Sequence, residues 1–341
     1  MQIKTNKLKG SLVEIEGSLP WDKFEKYQSK ALKNIGVNMQ LPGFRKGHIP
    51  EDVLIKNISD ISLLEEMAQT FLSESYPEIL IDNKIDAIGR PEIAITKLGR
   101  GNPLEFKIKT SILPLVKLPD YKQVAGVENK NKKVEKVEVS DDEVEKSILQ
   151  IRKMRSEHKD HDHETKEEDL PVFDDAFVKS LGNFENMEDF KVKIKENIAL
   201  EKNNKEKEKQ RIKIIEAILD KTDIDLPRIL IDSELDRMLH QVKTDIENSG
   251  FKFEDYMKHL NKTEEEMKKE WEKEAEKRAK LELLLKSIAD AENIKIDEKD
   301  IEQEVGRIMD MYKDADRNRA QAYVENILKN EKIFQLLENY I

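Results

Sequence analysis

The chain has 341 residues, 38% of them charged and 38% hydrophobic, with a formal net charge of −11 and a mean hydropathy of −0.71. That much apolar material excludes disorder throughout, and the length suits two or three domains. Only 12 Gly and 10 Pro are present, so long helices are expected, and the absence of Cys excludes disulfides and thiolate chemistry.

Residues 3–8 and 11–16 read as two short strands, with Val13 and Ile15 alternating against Glu14 and Glu16. Ser18-Leu19-Pro20 starts a helix expected to run to Ile35 and to stop at Gly36. Next stands Gly43-Phe44-Arg45-Lys46-Gly47-His48-Ile49-Pro50. Two glycines four residues apart permit a left-handed backbone, and Pro50 pre-sets the first turn of a short helix over 51–57. A connecting turn does not itself need Phe44, Arg45 and Lys46. Arg forks onto carboxylate or phosphate, Lys adds a point charge, and Phe anchors in an apolar pocket. A solvated turn with a half-buried Phe is the other reading of these eight residues alone.

The octet resembles the ribosome-docking signature Gly-Phe-Arg-x-Gly-x-x-Pro of the trigger factor family of bacterial nascent-chain chaperones. Gly43, Phe44, Arg45, Gly47 and Pro50 match, Lys46 takes the variable position, and His48 stands where Lys is common. The resemblance implies that Gly43, Phe44, Arg45, Lys46, Gly47 and Pro50 bind the ribosome.

Ser62-x-x-Glu65 reads as a capping box for a helix whose apolar face is Leu64, Met67, Ala68, Phe71 and Leu72, with Pro77 expected to kink or split it near Tyr76. Ile93 and Ile95 mark a strand. Gly99 to Asn102 form a turn, and Leu104, Phe106, Ile108, Thr110 and Ile112 alternate in a longer strand. We therefore expect an α+β domain over 1–113, a small antiparallel sheet with helices, and this order of elements resembles the family's N-terminal domain. Residues 1–113 carry 16 Lys+Arg and 15 Asp+Glu, whereas the rest carry 44 and 56. A near-neutral head with a basic tip can approach an RNA-rich surface that an acidic body cannot.

Residues 114–170 read as a linker with one helix, opened by the capping box Ser140-x-x-Glu143 and running to about Arg155. The basic run Asn129 to Lys133 could touch RNA, and a solvated linker is the plainer reading. In the family a peptidyl-prolyl isomerase domain of the FKBP type follows that helix. Here only residues 156–169 intervene, fourteen residues against the ~50 that a domain needs. The isomerase activity of the family is therefore not carried over, and no catalytic residue is assigned. His158, His161 and His163 lie in this charged hinge with carboxylates between them. They are weak candidates for Zn or Ni, and a solvated hinge is the plainer reading.

From 171 to 341 the pattern is helical. Asn186 caps a helix expected to reach Lys221, about 50 Å at ~1.5 Å per residue. One stripe is Phe190, Ile194 and Ile198, and another is Ile212, Ile215 and Leu219. Glu201 to Arg211 between them contain no apolar residue and are expected to be exposed. Asp225-Leu226-Pro227 starts a helix with Ile231, Leu235, Met238, Val242 and Ile246 on one face, ended by Ser249-Gly250. Thr263-x-x-Glu266 caps a long helix that turns apolar at Leu281 to Ile288. Asp297 opens another, and two more are expected to follow it. The segments at 225–236 and 281–305 look like the family's C-terminal domain, which implies an elongated all-α domain with projecting arms that cradle substrate. Met238, Met257, Met267, Met309 and Met311 suit an adaptable apolar surface as well as ordinary core.

No triad, phosphate loop or helical zinc pattern is present in the sequence, so no cofactor is expected. The start Met1-Gln2-Ile3-Lys4 lacks a signal-peptide core, and no apolar run approaches the ~20 residues that span a bilayer. A cytoplasmic protein without a membrane partner is expected. The resemblance implies an ATP-independent chaperone that binds the large ribosomal subunit at the exit tunnel, through ribosomal protein and rRNA, and takes nascent or unfolded polypeptides as clients. It also allows a homodimer of the free protein. A prolyl isomerase and a non-catalytic helical scaffold are the alternatives. The short hinge argues against the first, and the docking octet argues against the second.

Overall fold

A computed structural model of the chain describes residues 1–45, 47–132, 138–155 and 170–340. Lys46 and the hinge with His158, His161 and His163 lie outside the described residues. The contacts divide the chain into two compact units. One comprises Met1–Lys117 with Thr222–Ser287, and the other Leu118–Lys221 with Ile288–Ile341.

The first unit opens on strands β1 (Gln2–Leu8) and β2 (Leu12–Leu19). Helix α1 (Trp21–Phe24), a 3-10 turn over Glu25–Tyr27, and helices α2 (Gln28–Asn38), α3 (Glu51–Asn57) and α4 (Asp60–Asp82) follow. Strands β3 (Ala87–Lys97) and β4 (Leu104–Ile112) complete an antiparallel sheet in the order β1-β2-β4-β3. The pairing sets Ile15 opposite Ile108 and Glu16 opposite Lys107. A period of two then gives the sheet one apolar and one charged face. Val13, Ile15, Leu104, Phe106 and Ile108 are buried in one core with Phe24, Leu32, Met67 and Phe71. On the other face Lys107 Nζ reaches Glu16 at 2.6 Å.

Three local expectations need correction. The helix after Pro20 is broken by the 3-10 turn and then runs through Gly36 to Asn38. Gly36 is not a stop: a Cβ there would lie 3.1 Å from Leu54 Cδ1, so glycine lets α3 pack closely on α2. The cap of α4 is Ser59, whose hydroxyl accepts from Ser62 N at 3.1 Å, so the helix starts before the box read at Ser62 and Glu65. Pro77 does not split α4. Phe71 and Leu72 before it and Ile79 after it are buried in the same core, and Tyr76 Oη donates to Thr110 Oγ1 at 3.0 Å. That packing outweighs a penalty of about 3 kcal/mol.

The same unit holds α9 (Arg228–Asn248), α10 (Phe253–Leu260) and most of α11 (Glu264–Ala291). Thr263 and Glu266 form the expected reciprocal cap. Phe253, Met257 and Met267 are buried against Leu239, Val242, Ile246 and Trp271. Of the face read on α9, only Leu235 is fully buried, and Ile231, Met238, Val242 and Ile246 are half-buried.

The second unit begins with α5 (Tyr121–Lys130), a helix inside the stretch read as linker. Asp120 caps it, accepting from Gln123 N at 3.1 Å, and Tyr121, Val124, Ala125 and Gly126 are buried. Helices α6 (Asp141–Arg155), α7 (Asp175–Leu181), α8 (Met187–Leu219), α12 (Glu298–Met311) and α13 (Arg317–Glu338) complete it. Ser140 with Glu143, Asn186 and Asp297 cap as expected. One helix follows α12 where two were expected, because 317–338 contains no Gly or Pro to break it.

Residues 203–209 of α8 are exposed, as their composition requires, but Gln210 is buried. Its amide donates to the Glu128 carbonyl at 2.8 Å, and Arg211 forks between Glu331 and Glu338. Polar residues enter this interface because each finds a partner. The second apolar stripe is Ile214, Ile215 and Ile218 rather than one including Ile212, which is exposed.

Candidate functional site: the loop between α2 and α3, and the apolar patches

The loop begins where α2 ends at Met39, whose backbone is extended. Gly43 and Gly47 have φ of 89° and 82°, and nothing lies within 4 Å of where a Cβ would stand on either. Both are glycine for conformation, then, not for lack of space. Phe44 N donates to the Leu41 carbonyl at 3.2 Å, His48 N to Arg45 O at 3.0 Å, and Gly47 N to Gly36 O at 3.2 Å. The last bond uses one of the carbonyls left over at the end of α2. Ile49 is buried in the head core, and Pro50 is the N-cap residue of α3 rather than its first helical residue. The loop is held at both ends and tied once in the middle.

What it presents is polar and apolar at once. Phe44 is 40% exposed, and Arg45 and His48 are exposed. Among the described residues no carboxylate pairs with Arg45. A free guanidinium beside a half-exposed ring is a ready anchor pair for a partner with carboxylates or phosphates next to an apolar pocket. The structure thus brings Gly43, Phe44, Arg45, Gly47 and Pro50 into one tip. Gly36, which receives the tie, was read from sequence only as a helix stop.

Apolar side chains are exposed in both units. In the first, Phe251 (71% exposed), Tyr256 and Leu260 stand around α10. In the second, Met311 (72%) and Tyr312 (65%) stand at the end of α12, with Tyr323 and Ile327 on α13. Of the five methionines that suit adaptable surface and ordinary core alike, Met257 and Met267 are core, Met238 and Met309 are half-buried, and Met311 is open. His240 and His259 are exposed. Among the described residues no group of His, Cys, Asp and Glu is placed to hold a metal, and no helix is long and apolar enough to cross a membrane.

Two family models match this chain. One, for the bacterial trigger factor protein, matches residues 1–151, and one for the trigger factor C-terminus matches residues 186–339. Trigger factor of Clostridium botulinum (strain Kyoto / Type A2) is 23% identical, with 99% of this chain and 98% of the relative covered. That of Shouchella clausii is 24% identical, with 91% and 88% covered. The Clostridium alignment runs over 422 positions, more than this chain has residues, so the relative carries segments that this chain does not. A solved structure, described as showing promiscuous substrate recognition in folding and assembly activities of the trigger factor chaperone, aligns over 99% of both chains with a TM-score of 0.58 at 17% identity. The two models together take in the sheet, the loop between α2 and α3 and most of the helical remainder, and the chain belongs to the trigger factor family of chaperones.

Proposed function

We propose that this chaperone docks on the large ribosomal subunit through Gly43, Phe44, Arg45, Lys46, Gly47 and Pro50, and holds nascent or unfolded polypeptides on its exposed apolar helical surfaces without ATP. The observation that carries the docking is the tied loop with Phe44 open and Arg45 free of any described carboxylate. The head over 1–113 serves docking and the helical remainder serves clients. Weak contacts spread over several apolar patches suit release as the client folds. The protein works in the cytoplasm, where ribosomes are. It has no prolyl isomerase activity: residues 156–169 are too short for that domain.

Co-sedimentation with purified ribosomes at several salt concentrations tests the docking. Changing Phe44, Arg45 and Lys46 together to Ala abolishes pelleting and leaves the thermal melt and the free holdase activity intact, since aromatic and Arg anchors contribute about 2 kcal/mol or more each to an interface. An unchanged pellet fraction refutes the docking role. Isomerase turnover of a short Pro peptide above that of a heat-treated control refutes the non-catalytic reading.

A further inference from the structure

Within the first unit the turn between β1 and β2 is gripped by a residue more than two hundred positions away. Gly10 and Ser11 have φ of 75° and 47°, so their amides are consecutive and left-handed. Asp225 Oδ2 accepts from Gly10 N at 2.7 Å and from Ser11 N at 3.0 Å, and Ser11 Oγ donates to the Asp225 carbonyl at 2.5 Å. Successive amides in this conformation form a concave donor site for an anionic oxygen. A second contact lies four residues on: a Cβ at Gly89 would stand 1.9 Å from Ile229 Cδ1, so β3 is notched by glycine where α9 begins. Asp225 and Ile229 bracket the start of the α9–α11 arm, and Arg228 pairs with Glu272 to bind α9 to α11.

We propose that Asp225 is the positioning residue of this arm. Its carboxylate latches the arm's root to the β1–β2 turn, so the apolar residues around α10 keep a fixed distance from the head. The three bonds lie at the surface, where a latch adds little to the fold. The value of that fixed distance to a docked chaperone rests on the function proposed above. The latch itself does not, and it is tested on free protein without ribosomes or clients.

The chain has no cysteine, so the changes Lys109→Cys on β4 and His259→Cys on α10 supply the only two sites for spin labels, both at exposed positions. Pulsed dipolar spectroscopy then reads the distance between head and arm. The expected result is one narrow distribution in the labelled parent. It at least doubles in width in Asp225→Ala and in Asp225→Ser, whose hydroxyl is too short to reach both amides, while helix content is unchanged. A distribution equally narrow in either folded variant overturns the proposal, as does one already broad in the parent. Unfolding of both variants also overturns it, because a surface latch does not carry the fold.

Discussion

The amide of Gly47 donates to the carbonyl of Gly36 at 3.2 Å, joining the exposed tip to the last turn of α2. The two glycines serve different ends. Gly47 needs its left-handed φ of 82°, whereas Gly36 is helical and meets only the flexible end of Leu54. Gly47→Ala should therefore weaken ribosome pelleting by roughly 5- to 30-fold, the equivalent of about 1–2 kcal/mol for a left-handed alanine. Gly36→Ala should change pelleting little and leave the melt within about 1 kcal/mol, because helix propensity gained offsets crowding. Equal binding losses in both variants would show that space, not backbone conformation, sets the tip.

Asn129 predicts a cost in the second unit. Its amide donates to the carbonyls of Leu337, Glu338 and Tyr340 at 2.9, 3.3 and 2.7 Å, capping the last turn of α13 from α5. Asn129→Ala leaves those part-buried carbonyls without this donor and should cost about 1–3 kcal/mol in urea unfolding. Asn131→Ala, at the exposed residue that directly follows the helix, should cost less than about 0.5 kcal/mol. If the two cost the same, the linker helix is not a staple of the helical unit.

These residues also show what the sequence could and could not disclose. Phe44 and Arg45 stand out in the sequence because a turn needs neither for its own conformation, and both are exposed. The caps at Ser140, Asn186, Thr263 and Asp297 were legible because a cap is a local bond within three residues. Helix α5 was missed because it is buried by α8 and α13, far away in sequence, and its own ten residues show only a short apolar face. Gly36 was misread for the same reason, since its meaning is Leu54. The role of Pro77 follows from core on both sides of it, which no local rule supplies.

The second unit should lose stability in acid through Glu292. Lys122, donating at 2.7 Å, and the Tyr121 hydroxyl hold this carboxyl below the usual carboxylate range. A depressed folded-state value gives stability that is complete above the ordinary range near ~4.3 and is lost as pH falls through the lowered value. Tyr121 is the opposite case: burial, then its bond to Glu292, pushes it up to about 12. Its contribution is present below the ordinary value near ~10 and is lost as pH rises to about 12. Glu292→Gln should flatten the acid side of the stability profile below pH ~5, and Tyr121→Phe the alkaline side. Urea midpoints at stepped pH read both, and a profile parallel to the parent's on either side counts against that assignment.

Client capture should divide between two patches, one in each unit. Phe251, Tyr256 and Leu260 are exposed around α10, and Met311, Tyr312 and Tyr323 are exposed on α12, after it and on α13. None belongs to the buried clusters beneath, which are Phe253, Met257 and Met267 in one case and Ile301, Val305, Ala320 and Val324 in the other. Replacing an exposed side chain should therefore leave the melt within about 0.5 kcal/mol. Each apolar group removed from a client contact forfeits roughly 25 cal/mol per Å² of covered area, so single changes should be barely visible and a patch must be altered as a whole. Phe251, Tyr256 and Leu260 changed together to Ser should raise the amount of chaperone needed to suppress light scattering of a diluted unfolded enzyme by several-fold. The set Met311, Tyr312 and Tyr323 should do the same. Changing both sets should multiply the losses, since weak sites on one chain reinforce each other through effective concentration. Pelleting with ribosomes should stay unchanged throughout, because no altered residue lies in the loop between Gly43 and Pro50. If neither set alters the scattering, the clients are held elsewhere on the helices. If only one does, that patch alone is the holding surface.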